Sequence, residues 1–179
     1  VQTSRKIEKT VLVVEDNEDF CHFLSQELSR IYNKVMTAKD GIEGAMMAEA
    51  ENPDIIVSDV MMPRMSGTDM CRRIKENIET SHIPIILLTA WSTDEGRAAG
   101  YKAGADAYIA KPFDMEVLLA RISNLLEKQE KRQRDFSHSI SLDPKTVTDS
   151  SPDEKFLKEI IACIEKNIDN SDRKSTRLN

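Results

Sequence analysis

Five short apolar runs, separated by segments with three-four spacing, constrain this chain more than any other feature. The runs at 11–14, 55–57 and 83–88 are rich in β-branched residues and barely alternate with polar ones, and weaker runs lie at 34–38 and 107–110. A strand that is apolar at consecutive positions is covered on both faces, which is the situation in a parallel sheet. Between the runs, Phe20, Leu24, Leu28 and Ile31 share one helical face, Ile42, Ala45, Met46 and Glu49 begin another, and Met70, Ile74 and Ile78 repeat the spacing. The β-α unit recurs five times. This predicts an α/β fold, a doubly wound five-stranded parallel sheet with right-handed crossovers. In such a sheet ligands sit beyond the carboxyl ends of the strands.

From about Asp114 a fifth helix carries Met115, Leu118, Ile122 and Leu125, and its apolar stripe then gives way to the charged run EKQEKRQRD at 127–135. We read that run as a solvated helix end, with a coiled-coil connector to a neighbouring domain or partner chain as the other reading. Residues 137–152, rich in Ser, Thr, Asp and Pro, read as a linker. An amphipathic helix follows at 153–170, where Leu157, Ile160, Ile161, Ile164 and Ile168 line a face with too little chain left to cover it. The expected organisation is a lead-in at 1–8, a folded domain at 9–128, a charged helix end and linker at 129–152, a helix at 153–170 and a tail at 171–179 with no assigned role. The chain starts at Val1 and no charged-then-apolar leader follows. No signal peptide is expected, and the sequence reads as a piece of something longer.

Composition narrows the function classes. No window approaches the roughly 20 uninterrupted apolar residues of a spanning helix, so no direct membrane contact is expected. The net charge of -6 argues against broad nucleic-acid binding, which needs a basic face. Cys21, Cys71 and Cys163 are far apart and form no CxxC pair, which points away from a zinc site or disulfide framework and toward a reducing cytoplasm. The three histidines are equally scattered and none is a catalytic candidate.

The polar residues just past the runs form a more specific pattern. Glu15 and Asp16 follow the first run and Asp59 the third, while Thr89 follows the fourth and Lys111 the fifth. Three carboxylates, a hydroxyl and an ammonium should therefore face one crevice. Closely packed carboxylates repel and raise one another's pKa unless a cation intervenes, so the cluster predicts a bound divalent metal. With oxygen ligands alone, that metal is expected to be magnesium.

Four blocks carry a resemblance to a known family: VLVVEDN at 11–17, IIVSDVMMPRMSG at 55–67, PIILLTA at 84–90 and AYIAKPF at 107–113. They resemble the signature blocks of the two-component response-regulator receiver domain, over about residues 9–128. The resemblance implies the flavodoxin-like strand order 2-1-3-4-5. It makes Asp59 the phosphoacceptor, gives Asp16 direct contact with Mg2+ and Glu15 contact largely through metal-bound water, and adds the backbone carbonyl of Met61 as a metal ligand. Lys111 would pair with phosphoryl oxygens, and Thr89 would bond to one of them once Asp59 is modified. Pro112 resembles the family's Lys-Pro peptide, often cis. Tyr108, three residues before Lys111, stands where the family places its switch aromatic.

The resemblance also implies a histidine kinase as phosphodonor, on a separate chain or the same one, and an output surface over about 92–126, where a homodimer could form. Bulky Met61 and Trp91 depart from the commonest small or polar choices, and we expect them to slow hydrolysis of the acyl phosphate while small Ala90 leaves room for the phosphoryl group. The segment 153–170 resembles the opening helix of an AraC-type DNA-binding domain. This implies a parent hybrid sensor kinase, in which any DNA contact belongs to that output domain and any membrane anchor to the parent. Two other functions compete with this one. An aspartyl-nucleophile phosphohydrolase would want an acid two residues after Asp59, where Met61 stands, and a phosphate-independent interaction domain would not need Asp16, Asp59, Thr89 and Lys111 together.

Overall fold

Consecutive apolar positions in the strands divide by parity between two cores, which explains why the runs hardly alternate. The structure, a computed structural model, describes residues 6–90 and 103–140, with side chains through 136. Its strands are β1 (Ile7–Val14), β2 (Tyr32–Ala38), β3 (Ile55–Asp59), β4 (Ile85–Thr89) and β5 (Ala107–Ala110), and its helices are α1 (Glu18–Ser29), α2 (Gly41–Glu51), α3 (Gly67–Glu76) and α4 (Met115–Ile140). The strands form one parallel sheet in the order β2-β1-β3-β4-β5, as expected. Val11, Val13, Ile55, Val57, Ile86 and Leu88 pack on one face with Leu24 and Leu28 of α1 and Leu118, Ile122 and Leu126 of α4. Leu12, Val14, Ile56, Ile85 and Leu87 pack on the other with Ala45 and Ala48 of α2 and Met70 and Ile74 of α3. Side chains of successive strand residues point to opposite faces, so a sheet covered on both sides needs every position apolar.

Each of the first three strands ends in a loop whose last residue caps the following helix. The Asn17 side chain accepts from the Phe20 N–H at 2.9 Å, Asp40 accepts from the Ile42 and Glu43 N–H groups, and Ser66 accepts from the Asp69 N–H at 3.1 Å. Short acceptor side chains satisfy the free N–H groups of a first helical turn. These caps bring three helix N-termini to the edge of the sheet where the strands end.

Three expectations need correction. Ile42 and Met46 do not face the core: both are exposed, and α2 buries Gly41, Gly44, Ala45 and Ala48 instead. The reason is spacing, because a Cβ on Gly44 would lie 2.6 Å from the Met70 sulfur and 3.0 Å from Val14, leaving no room for a large side chain there. Ile78 lies past the end of α3 at 89% exposure. Finally, α4 runs on through Ile140, past Ser137 where the sequence suggested a linker, because a charged run is compatible with a helix when no Pro or Gly interrupts it.

The chain divides into one unit at Val1–Gln133 and a second at Arg134–Asn179. Of the second, only the helical residues 134–140 are described. The expected linker beyond 140, the helix at 153–170, the tail, and the helix expected between β4 and β5 fall outside the described residues. Among those described, no helix is long and apolar enough to cross a membrane.

Candidate functional site

The strand register sets the site. Val14 lies opposite Ser58, Asp59 opposite Leu88 and Thr89 opposite Ala110, so β1, β3, β4 and β5 all end within a residue or two of one line. Glu15 and Asp16 directly follow β1, Asp59 closes β3, Thr89 closes β4 and Lys111 directly follows β5. The Lys111 N–H donates to the Thr89 carbonyl at 2.7 Å, extending the ladder one step past the strands. The Lys111-Pro112 peptide is cis.

Glu15, Asp16 and Asp59 each present a carboxylate oxygen within 4.8 Å of the others. Glu15 and Asp59 are buried and Asp16 is exposed. The ammonium of Lys111 lies 3.1 Å from the Glu15 Oε2 and 3.1 Å from the Asp59 Oδ1. It also sits 4.6 Å from the centre of the Phe20 ring, where the negative face of the π-system favours a cation. The other oxygen of Glu15 accepts from the Asn17 N–H at 3.2 Å.

Burial and charge oppose each other in this pocket. Burial pushes the Glu15 carboxyl above the usual glutamate range, with Lys111 and the Asn17 N–H pulling it back and the Asp59 charge adding to the rise. Burial pulls Lys111 down, but its bonds to Asp59 and Glu15 outweigh that and leave it above its ordinary value. The ammonium is therefore held protonated between two acids, while the third carboxylate, Asp16, has no cationic partner in this cluster.

The donor set fits a small hard cation. Magnesium takes oxygens at about 2.1 Å, so opposite ligands stand about 4.2 Å apart. The three carboxylates span little more than that, and the exposed side of Asp16 leaves room for water. With one lysine against three acids, the pocket carries excess negative charge that a divalent ion would neutralise. Chemically, it offers a carboxylate nucleophile beside a fixed ammonium, the combination that suits transfer of a phosphoryl group.

The remaining candidates lie around this centre. Met61 is exposed at 58% on the loop after β3, and Ala90 is exposed just past Thr89. Tyr108 is half-buried on β5 against the second core, with its hydroxyl oxygen shielded from solvent. Trp91 lies outside the described residues, as does the first part of the surface expected at 92–126. Sequence reasoning missed the parts played by Phe20 and Asn17. Phe20 was visible only as a helical core position, although Asn17 directly after Glu15 and Asp16 is a cap signal that could have located it.

The family model of the response regulator receiver domain matches residues 11–123. The chain is 38% identical over 167 residues to Histidine kinase P4 of Formosa agariphila, covering 93% of this chain and 12% of that protein. It is 38% identical over 133 residues to Response regulator ArlR of Staphylococcus aureus, covering 74% of this chain and 59% of that one. It thus spans under two thirds of either relative. Among solved structures, chemotaxis protein CheY4 of Vibrio cholerae is similar with a TM-score of 0.62 at 31% identity, covering 66% of this chain and 99% of that one.

Proposed function

Since this chain belongs to the response regulator receiver domain family and is a receiver domain of two-component signalling, we propose that Asp59 is its phosphoacceptor and that Glu15, Asp16, Asp59 and the Met61 carbonyl hold Mg2+. The observation that carries this reading is Lys111, poised 3.1 Å from both Asp59 and Glu15 within a cluster of three acids. When bound, the ion would supply positive charge opposite the transferring phosphoryl oxygens. Asp59 attacks the phosphorus of a phosphohistidine on a kinase, the P–N bond breaks, and the imidazole leaves with a proton from solvent. Lys111 changes partners from carboxylate to phosphoryl oxygen, offsetting charge that spreads over three oxygens in the transition state.

Thr89 and Tyr108 form the switch in this reading. Thr89 bonds to a phosphoryl oxygen and Tyr108 moves behind it, altering the surface around 92–126 that serves output or pairs with a second copy. Met61 and Trp91 shield the acyl phosphate from water, and Ala90 leaves space for the group. The similarity to Histidine kinase P4 extends well past residue 123, which supports a longer hybrid parent; in this reading 129–152 is its connector and 153–170 opens an AraC-type DNA-binding domain. Such a domain regulates transcription in the cytoplasm, whatever anchors the parent. A hydrolase reading is disfavoured by Met61, which offers no proton two residues after the nucleophile.

The test is mass spectrometry after treatment with acetyl phosphate and magnesium. A gain of about 80 Da is expected in the wild type, and its persistence in Asp59→Asn would remove Asp59 from the role.

A further inference from the structure

Beside the acid cluster, a second buried carboxylate faces the same end of the sheet. Asp40 precedes α2 and is 0% exposed. One of its oxygens caps the helix through the N–H groups of Ile42 and Glu43, both at 2.9 Å. Its other oxygen meets the guanidinium of Arg64. Arg64 belongs to the loop at 60–66 that leaves Asp59, and its φ of 65° lies in the left-handed region that residues with a Cβ seldom adopt. Surroundings must hold such a backbone in place.

The same two loops touch again one residue on. The Gly41 N–H donates to the Met65 carbonyl at 3.2 Å, and a Cβ on Gly41 would lie 2.6 Å from that oxygen. At the base, the loop is closed by the Gly67 N–H on the Val60 carbonyl at 3.0 Å. Between these ties, Met61 and Arg64 are exposed side chains, and Met62 and Met65 reach the second core only in part. The tip of the loop therefore has one charged anchor, Asp40, whose buried carboxylate needs a cation as much as the loop needs a tether.

We propose that Asp40 and Arg64 are positioning residues that fix the loop at 60–66, and through it the backbone of Met61 beside Asp59. They act on the pocket from the β2 side without touching the reacting atoms. The link to the metal rests on the reading of the pocket given above, whereas the effect on the loop stands without it.

Hydrogen exchange of segment 60–67 in metal-free protein tests the pair directly. Asp40→Asn keeps the helix cap but removes the charge, and Arg64→Gln removes the cation. In both, exchange in the loop is expected to quicken about tenfold while β1 and β3 stay protected. Arg64→Lys should behave like the wild type. Arg64→Gly relieves the left-handed backbone yet lacks the cation, and should loosen the loop as Arg64→Gln does. Magnesium titration of the full chain, followed by fluorescence of its single tryptophan, is expected to show a half-saturation raised about tenfold in both charge variants, with a phosphorylation rate at saturating ion near that of wild type. Unchanged loop protection in Asp40→Asn and Arg64→Gln, or wild-type protection in Arg64→Gly, overturns the proposal. A wild type that ignores magnesium instead defeats the metal reading, and the exchange data still decide the role of the pair.

Discussion

The two ends of the sheet both carry a lysine among acids, and they differ in how the charges balance. At the end where the strands begin, the Lys75 ammonium bonds to Asp106 at 2.8 Å and to the carbonyls of Ser81 and Ile83 at 3.3 and 2.7 Å. Asp106 also accepts from the Ile85 N–H at 2.9 Å. One cation meets one carboxylate, and the lysine's three donors all find acceptors. At the end where the strands finish, one lysine faces Glu15 and Asp59 while Asp16 lies beside them. A balanced cluster ties loops together, whereas an excess of negative charge on buried carboxylates such as Glu15 and Asp59 favours binding of a cation. Position in the fold agrees, since ligands bind past the carboxyl ends.

The largest expected effect separates the ends by chemistry. Lys111→Met should slow phosphorylation by acetyl phosphate about a hundredfold, the scale seen when a positioned charge is removed from a transition state. Lys75→Met should leave that rate within about twofold while lowering the free energy of unfolding in urea by about 2 kcal/mol. Equal losses of rate in both would erase the difference between the two ends.

Asp16 sharpens it further. In metal-free protein Asp16→Asn removes a charge with no cationic partner in the cluster, and should stabilise the fold by up to about 1 kcal/mol in thermal or urea unfolding. The same variant should lose most of the stabilisation that magnesium gives the wild type. An unchanged response to magnesium would separate Asp16 from the ion.

Acidity offers a smaller effect. Because the Glu15 carboxyl titrates above its ordinary value, its contribution to stability is complete below pH 4.5 and is lost as pH rises through the raised value. Without metal, Glu15→Gln should therefore gain on the wild type at neutral pH, and the gap should close toward pH 4.5. A gap that widens on acidification would mean that the Lys111 and Asn17 bonds outweigh burial.

The smallest expected effect lies at the opposite end. Lys9 bonds to Asp54 and Glu130 at 3.2 Å each, and although burial pulls it down, these bonds hold it above its ordinary 10.5. Its stabilisation is present below pH 10.5 and declines as pH rises past the raised value. Lys9→Met should cost a fraction of a kcal/mol at neutral pH, as partly exposed pairs do, and less in strong alkali. Alkaline unfolding curves of the two proteins would show this.

The strands and the site acids could be read from the chain because periodicity and position after a run are local properties. Asp59 and Lys111 are marked by their places just past a run, since a parallel sheet with one register brings every strand end to one edge. Which helix face is buried was less visible in α2, where Gly44 and Ala45 pack inward and Met46 points out. Apolar spacing marks an apolar face, but how closely the helix approaches its neighbours decides which face can be used. Phe20 looked like a core residue and is also a wall beside the Lys111 ammonium.

The amino-acid order by itself settled the layering of the chain, the parallel sheet and the acids that end its strands, because each follows from residue type and spacing along a few neighbours. Tertiary structure alone decided that Lys111 spans Glu15 and Asp59, and that Arg64 reaches Asp40. Those partners are separated by many residues, and their meeting depends on strand register and loop path, quantities fixed only when the whole sheet and both cores pack together.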